Sequence, residues 1–324
     1  MLRWTGFLLT MLLLAGCSNS TASSTTPTAS PWKSTGKVRV LTSIVPMYCF
    51  TKLIAGDDAE VLCLMTSHGP HDFEPTSDDA RILAQADLFV VVALGLEEFL
   101  NGMVKSSDNR KLKVIRTGQA IPAEKRLEAD GKPHYHGDKL VQHAGIDPHV
   151  WLGMEEAGYI VDAIEAALVD RDAKNAANYK KRAAEVKDRL AKLHAQGKDQ
   201  LKSAQGGLVT FHDSFRYFSR SFGIPIVGTI RDVKGDQPLS PAALREQATE
   251  FGKKGVRVIG VEPQFPRGVA ENLAKEIDAR RVKIIDLDPI ETGPSLPNSP
   301  YEVDPNLYFE KMTLNLRNLQ KAYE

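Results

Sequence analysis

The order of elements along the chain is the feature that most constrains its fold. From Lys37 onward, short runs of β-branched and apolar residues alternate with stretches of helical composition. This alternation is typical of parallel βα units and argues against a sandwich or a helix bundle. Strands are predicted at 38–44, 60–65, 88–93 and 112–115, and again at 208–211, 224–230, 256–261 and 282–287. The sequence therefore predicts an α/β protein of two lobes, each with a mostly parallel sheet flanked by helices.

One long helix is predicted to bridge the two lobes. Residues 175–203 are dominated by Ala, Lys, Arg, Leu, Glu and Gln, with one glycine and no proline. Their apolar residues form a narrow stripe, which suits a helix that lies against two lobes and is buried in neither. At 1.5 Å per residue the helix would span about 43 Å. We thus expect a first lobe at 37–174, the linking helix at 175–203 and a second lobe at 204–324.

The first residues have the features of an export signal. Arg3 precedes an apolar run from Phe7 to Leu14, which is too short to cross a bilayer. The sequence LAGC at 14–17 resembles the bacterial lipobox, which implies a signal peptide at 1–16, acylation of Cys17 and a Ser/Thr-rich tether at 17–36. The mature chain is then expected outside the cytoplasm, lipid-anchored to a bacterial membrane in the periplasm or at the cell surface. The alternative is an ordinary signal peptide that happens to contain a cysteine.

Charge and cysteine content narrow the choice of partners. The 41 basic residues balance 41 acidic ones, so a nucleic-acid partner is not expected. Export would let Cys49 and Cys63 form a disulfide, but Cys63 lies in an apolar run that also suits a buried thiol. The sequence leaves both options open.

Histidines and carboxylates follow the predicted strands. Ligands of open α/β sheets bind beyond the carboxyl ends of the strands, which is where His71, His212, Glu262 and Asp288 are expected. His149 lies in the loop that leads to the helices between the lobes. A single histidine at a strand end is usually a hydrogen-bonded core residue, but several from both halves indicate a metal site. Imidazole and carboxylate ligands together suit zinc, or manganese and iron when more oxygen is present.

The chain resembles the zinc and manganese solute-binding lipoproteins of bacterial ABC transporters. The matching segments are 43–48 (SIVPMY), 54–57 (IAGD), 69–76 (GPHDFEPT), 86–88 (ADL), 95–97 (GLE), 147–152 (DPHVWL), 211–215 (FHDSF) and 287–289 (LDP). The resemblance implies that His71, His149, His212 and Asp288 bind the metal, two from each lobe. It also implies a permease and an ATPase as partners, and zinc as the transported ion, with manganese as the alternative.

Other polar residues near these motifs are expected to have different roles. Glu262 is left out of the ligand set and is expected to bond a nearby helix N-terminus, while Glu74 fixes the loop that carries His71. His68 is expected at the rim of the site. The polar loop 118–146 contains His134, His136 and His143, which either recruit metal or belong to a solvated loop.

A metal-dependent hydrolase and a metal-binding surface adhesin are the competing classes. Catalytic zinc keeps one position open for water, whereas four protein ligands would fill the coordination shell. The sequence has no HExxH, no GxSxG and no glycine-rich phosphate loop. A binding protein is therefore expected, and not an enzyme. Three imidazoles and one carboxylate favour zinc over manganese.

Overall fold

The computed structural model describes residues 1, 30–71, 73–129, 131, 134–136, 139–141, 145–231, 233, 239–278 and 280–324. Apart from Met1, the predicted signal peptide lies outside these residues, as do Cys17, most of the tether and His143. Within the described part of the chain, no helix is both long and apolar enough to span a membrane.

The first lobe contains a four-stranded parallel sheet. Its strands are β1 (Val38–Ile44), β2 (Ala59–Met65), β3 (Leu88–Val91) and β4 (Lys113–Arg116), in the order β2-β1-β3-β4. The helices of this lobe are α1 (Val45–Ala55), α2 (Ser77–Ala84) and α3 (Leu100–Ser106). A capping box between Thr76 and Asp79 fixes the start of α2. Because the four strands are parallel, their carboxyl ends meet at one edge of the sheet.

The second lobe repeats this topology. Its sheet consists of β7 (Gly207–Thr210), β8 (Ile226–Thr229), β9 (Val256–Val261) and β10 (Lys283–Asp286). The spatial order β8-β7-β9-β10 is the order of the first sheet counted from its own first strand. Its helices are α6 (Arg216–Phe222), α7 (Pro241–Lys253), α8 (Arg267–Asp278) and the C-terminal α9 (Leu307–Tyr323). The predicted fold of two parallel α/β sheets is confirmed.

Two helices and a small hairpin lie between the sheets in sequence. The backbone of β5 (His134–His136) pairs antiparallel with β6 (Lys139–Val141). Helix α4 (Met154–Arg171), which the sequence pattern did not delimit, packs along α5 (Ala176–Leu201). The 26 residues of α5 span about 39 Å. This helix contacts α1 and α4 as well as α6 and α9 of the second lobe, so it lies against both lobes.

A long connection joins β10 to α9 and returns to the first lobe. We call residues 287–306 the crossing loop. Its Tyr301 carbonyl accepts a hydrogen bond from the Cys63 amide of edge strand β2 at 2.7 Å. Cys49 and Cys63 are both buried free thiols. Burial raises the pKa of Cys49 to about 12, so this thiol stays protonated at neutral pH.

Candidate metal centre

Three histidines and one glutamate converge between the two sheets. One potential ligand atom from each of His71, His149, His212 and Glu291 lies within 4.8 Å of the others, and all four residues are buried. His71 belongs to the loop 66–76 after β2, and His149 precedes α4. His212 follows β7 of the second sheet, and Glu291 lies in the crossing loop. The group thus draws on four separate loops.

The spacing of these atoms fits a small metal ion. Glu291 Oε1 lies 3.7 Å from Nε2 of His71, 3.6 Å from that of His149 and 3.4 Å from that of His212. Bonds of 2.0–2.1 Å in a tetrahedral zinc site place neighbouring ligand atoms about 3.3–3.4 Å apart. The three glutamate–histidine distances therefore exceed this spacing by at most a few tenths of an ångström.

Asp147 fixes the orientation of His149. Its Oδ1 accepts hydrogen bonds from His149 Nδ1 at 2.8 Å and from the His149 amide at 2.9 Å. With the proton on Nδ1, Nε2 presents its lone pair to the centre of the group. A carboxylate behind the ring is the usual way to orient a histidine that binds metal.

Glu262 does the same for His212. Its Oε1 accepts hydrogen bonds from the amides of Phe211 at 3.0 Å and His212 at 3.2 Å, while its Oε2 contacts His212 Nδ1. Glu262 is not a member of the four-residue group. Glu262 was expected to bond a helix N-terminus. Its bonds go instead to the end of strand β7 and to the histidine ring.

Burial and the neighbouring carboxylates set the protonation of the group. Burial lowers the pKa of His71. Burial also opposes protonation of His212, but Glu262 and then Glu291 outweigh it and raise the pKa of His212 to about 10. For Glu291, the three imidazoles outweigh burial and hold the pKa of its carboxyl well below the usual range. An anionic glutamate thus faces a partly protonated histidine cluster, and an arriving cation would displace protons.

Asp288, which the sequence analysis placed in the ligand set, lies outside this group. Its Oδ2 is 2.5 Å from Lys311 Nζ, and its Oδ1 accepts a hydrogen bond from the Ile290 amide at 2.7 Å. The Asn315 side chain bonds both the amide and the carbonyl of Asp288. Helix α9 therefore holds Asp288, and the carboxylate that reaches the histidines is Glu291, three residues further along the chain.

An unusual backbone conformation accompanies this difference. Ile290 has φ +64°, which is rare for a β-branched residue. The turn at Ile290 separates Asp288, bonded to α9, from Glu291, buried against the histidines. Glu291 was not predicted from the sequence. The one signal that could have indicated it is its position two residues after the LDP motif at 287–289.

The remaining predicted site residues lie around the group. His68 is exposed and its Nδ1 lies 3.2 Å from Ser67 Oγ, and Glu74 is also exposed. His134 and His136 belong to the backbone of β5, and their side chains lie outside the described part of the structure. A metal-recruiting role of this hairpin stays a prediction.

Comparison with known proteins identifies a family match over most of the chain. The profile of the family described as "Zinc-uptake complex component A periplasmic" matches residues 40–322. The high-affinity zinc uptake system protein ZnuA of Bacillus subtilis is 31% identical over 286 residues, covering 86% of each chain. The zinc-binding protein AdcA of Streptococcus pyogenes is 32% identical over 267 residues, or 79% of this chain. This chain spans about half of that relative, 51% of its length.

Solved structures show the same architecture. The SBP FpvC from Pseudomonas aeruginosa, solved in complex with Mn²⁺, superimposes with a TM-score of 0.72 at 26% identity, covering 89% of this chain and 98% of that one. Zn(II)-bound AdcA from Streptococcus pneumoniae gives a TM-score of 0.71 at 27% identity, over 89% of this chain and 58% of that one. The predicted resemblance to the zinc and manganese solute-binding proteins is confirmed.

Proposed function

The chain belongs to the family of periplasmic component A proteins of zinc-uptake complexes, and we propose that it captures one divalent transition-metal ion between its lobes for an ABC importer. The permease and ATPase of that importer are its partners. The relatives named for zinc uptake and zinc binding support this assignment.

The single observation that carries the proposal is the convergence of His71, His149, His212 and Glu291. These residues are the proposed metal ligands, with Glu291 in the place that the sequence analysis gave to Asp288. The replacement keeps three nitrogen donors and one carboxylate, the combination that favours zinc over manganese. Asp147 and Glu262 each hold one imidazole with its Nε2 toward the metal.

Capture without catalysis agrees with this ligand set. Four protein ligands complete a tetrahedral zinc shell and leave no position for an activated water, which catalytic zinc requires. Metal binding would also neutralise the buried anionic Glu291 and take up the lone pairs of the imidazoles. The buried centre is thus suited to holding a cation as cargo.

Export and anchoring complete the proposal. Cys17 would carry the lipid that holds the protein at a bacterial membrane, outside the cytoplasm. Mass spectrometry of the mature N-terminus tests this assignment, since an N-terminus beyond residue 17 would contradict it.

The deciding experiment is competition calorimetry of the purified, metal-stripped protein with zinc. We expect one tight site in the wild type, and a loss of affinity by orders of magnitude in His71→Ala, His149→Ala and His212→Ala. Glu291→Gln should weaken zinc binding more than Asp288→Asn, because only Glu291 faces the imidazoles.

His68→Ala is the matched control, since it removes an exposed imidazole three residues from His71. It should leave the affinity unchanged. Unchanged binding in any of the three buried histidine variants would remove that residue from the ligand set. Absence of a tight zinc site in the wild type would refute the function itself.

A further inference from the structure

The crossing loop leaves the second lobe just before Glu291. Leu287 still bonds the Val261 carbonyl of β9 at 2.9 Å, and Asp288 is held by α9. From Pro289 onward the partners change. The Pro289 carbonyl accepts a hydrogen bond from Trp151 Nε1 at 2.7 Å, two residues after His149. The turn at Ile290 thus lies where the loop passes from second-lobe partners to first-lobe partners.

After Glu291, the loop is bonded to Thr66, the first residue of the loop that carries His71. The Gly293 amide donates to the Thr66 carbonyl at 2.7 Å. Thr66 Oγ1 donates to the Pro300 carbonyl at 2.9 Å and accepts from Ser295 Oγ at 2.9 Å. Thr66 is buried, which limits the access of water to its side of these bonds.

Glu291 thus lies between two residues of the crossing loop that are hydrogen-bonded to the first lobe. One is bonded to the segment that carries His149, and the other to the loop that carries His71. Gly69, in the same loop as His71, approaches it so closely that an added Cβ would lie 3.5 Å from Glu291 Oε2. The position of Glu291 therefore depends on the loops of His71 and His149, although it follows the last strand of the second sheet.

His212 is held differently. Its amide and that of Phe211 bond Glu262, which directly follows β9 in the second sheet. The support of His212 thus comes from neighbouring strands of the second lobe.

We propose that Thr66 is a positioning residue for Glu291, so that His71, His149 and Glu291 form one hydrogen-bonded unit to which the second sheet adds His212. We call this set the three-ligand unit. The inference rests on the proposed function, in which these four residues bind the metal. Three of the four proposed ligands are then positioned by the first lobe and one by the second, although their positions in the sequence suggest two from each lobe.

The test measures the rate at which zinc leaves the full-length protein, using a chromophoric chelator in stopped flow. Thr66→Val removes the hydroxyl and keeps the shape, so the Pro300 carbonyl and Ser295 Oγ lose their bonds to Thr66 and keep only the 3.3 Å bond between themselves. We expect zinc to dissociate about 3- to 10-fold faster. Thr66→Ser keeps the hydroxyl and should restore the wild-type rate. Ser295→Ala, at an exposed position, should show a smaller acceleration and serves if Thr66→Val does not fold.

Thr42→Val is the matched structural control. Thr42 is also buried in the first lobe, and its Oγ1 donates to the Leu62 carbonyl at 3.1 Å, within the sheet. This variant should lower the melting temperature without accelerating zinc release. Acceleration equal to that of Thr66→Val would overturn the proposal, because loss of stability alone would then explain both.

Two double-mutant cycles separate the three-ligand unit from His212. In a Glu291→Gln background, Thr66→Val should add almost nothing, because the group it positions is already altered. In a Glu262→Gln background, the acceleration by Thr66→Val should persist in full. Equal acceleration in both backgrounds would overturn the three-to-one division while zinc binding stands. A wild-type protein that binds no zinc would instead refute the proposed function.

Discussion

A buried glutamate follows the third strand of each lobe's sheet, Glu97 in the first lobe and Glu262 in the second. Glu97 accepts hydrogen bonds from the amides of Val92 and Ala93, both at 2.8 Å, and from Ser43 Oγ at 2.7 Å. Glu262 likewise accepts from two consecutive amides, those at the end of β7. In both lobes a carboxylate thus satisfies backbone donors where parallel strands end.

The two carboxylates differ in the side chains that contact them. The Ser43 hydroxyl of β1 bonds Glu97 in the first lobe. In the second lobe the His212 ring, two residues after β7, contacts Glu262, which also accepts a bond from Gln264 Nε2 at 3.3 Å. The same buried carboxylate is therefore purely structural beside a serine, and beside a histidine it also orients a proposed metal ligand. Two lobes of one topology can thus differ in function through the type of side chain that a buried carboxylate contacts.

Neutralising each glutamate in turn should separate the structural role of Glu97 from the ring-orienting role of Glu262. The largest expected effect is the loss of zinc affinity in the Glu262 variant. Glu262→Gln weakens the hold on the His212 ring, so zinc affinity should fall about 10- to 100-fold. Glu97→Gln should leave zinc affinity within about 2-fold but lower the free energy of unfolding by about 1–3 kcal/mol, because a side-chain amide cannot accept all three bonds. Competition calorimetry and urea unfolding of the metal-free variants measure both quantities.

Ser43→Ala provides the control for this pair. It removes the third partner of Glu97 and should lower stability without weakening zinc binding. The comparison fails if Glu97→Gln and Glu262→Gln weaken zinc binding equally, since the two carboxylates would then have the same role.

Helix α5 is fixed to the two lobes by different contacts, which predicts unequal losses. On the first lobe, Arg182 donates to the Ile54 and Ala55 carbonyls at the end of α1, at 2.6 and 2.8 Å. On the second, the Arg189 guanidinium lies 3.9 Å from the ring centroid of Phe309. Arg182→Met should lower the free energy of unfolding by about 1.5–2 kcal/mol. Arg189→Met should lower it by about 0.5–1 kcal/mol, the lower part of the range of a cation–π contact, because the Arg189 side chain is only partly buried.

Urea unfolding of the two metal-free variants measures both losses of unfolding free energy. Both substitutions keep a long apolar stem on the helix, so the comparison isolates the guanidinium contacts. Equal losses would show that α5 is held no more firmly to the first lobe than to the second.

The fold was predictable from the sequence because its signals are local. The strand 256–261 was predicted with the bounds that the structure shows, since an apolar run of this kind is buried on both faces of a parallel sheet. The apolar stripe of the long helix is buried as expected, at Tyr179, Val186, Leu190, Leu193 and Leu201. Boundaries differed by a few residues where hydrogen bonding, and not composition, ends an element. The strand predicted at 88–93 ends at Val91, for example, because the amides of Val92 and Ala93 bond the Glu97 carboxylate.

The residues of the candidate site could be predicted only where they follow strands directly or lie in extended motifs. The structure brings His71, His149 and His212 together, but the choice between Asp288 and Glu291 depends on contacts distant in sequence. Lys311 and Asn315, 23 and 27 residues after Asp288, hold it against α9. No spacing within the loop indicates that α9 would bind the first carboxylate and leave the second for the histidines.

The smallest expected effect compares two surface carboxylates, one in each lobe, through the pH dependence of stability. A hydrogen bond from Arg182 lowers the pKa of Asp58, and hydrogen bonds from Lys254 and Arg231 lower that of Glu250. Folding lowers both pKa values, so each group stabilises the folded state above its unfolded-state pKa, which is 3.8 for Asp58 and 4.5 for Glu250. This stabilisation is lost as pH falls through the folded-state pKa.

Solvent screens both pairs, so Asp58→Asn and Glu250→Gln should each lower the free energy of unfolding at pH 7 by less than about 1 kcal/mol. The difference from wild type should begin to shrink below about pH 5 and be smallest near pH 3. Urea unfolding of metal-free protein across this range measures it, and a difference that grows toward low pH would contradict the sign. In the Arg182→Met background, the effect of Asp58→Asn should shrink to what the Asn178 hydrogen bond still supports, while that of Glu250→Gln is unchanged, because the two carboxylates lie in separate lobes and share no partner.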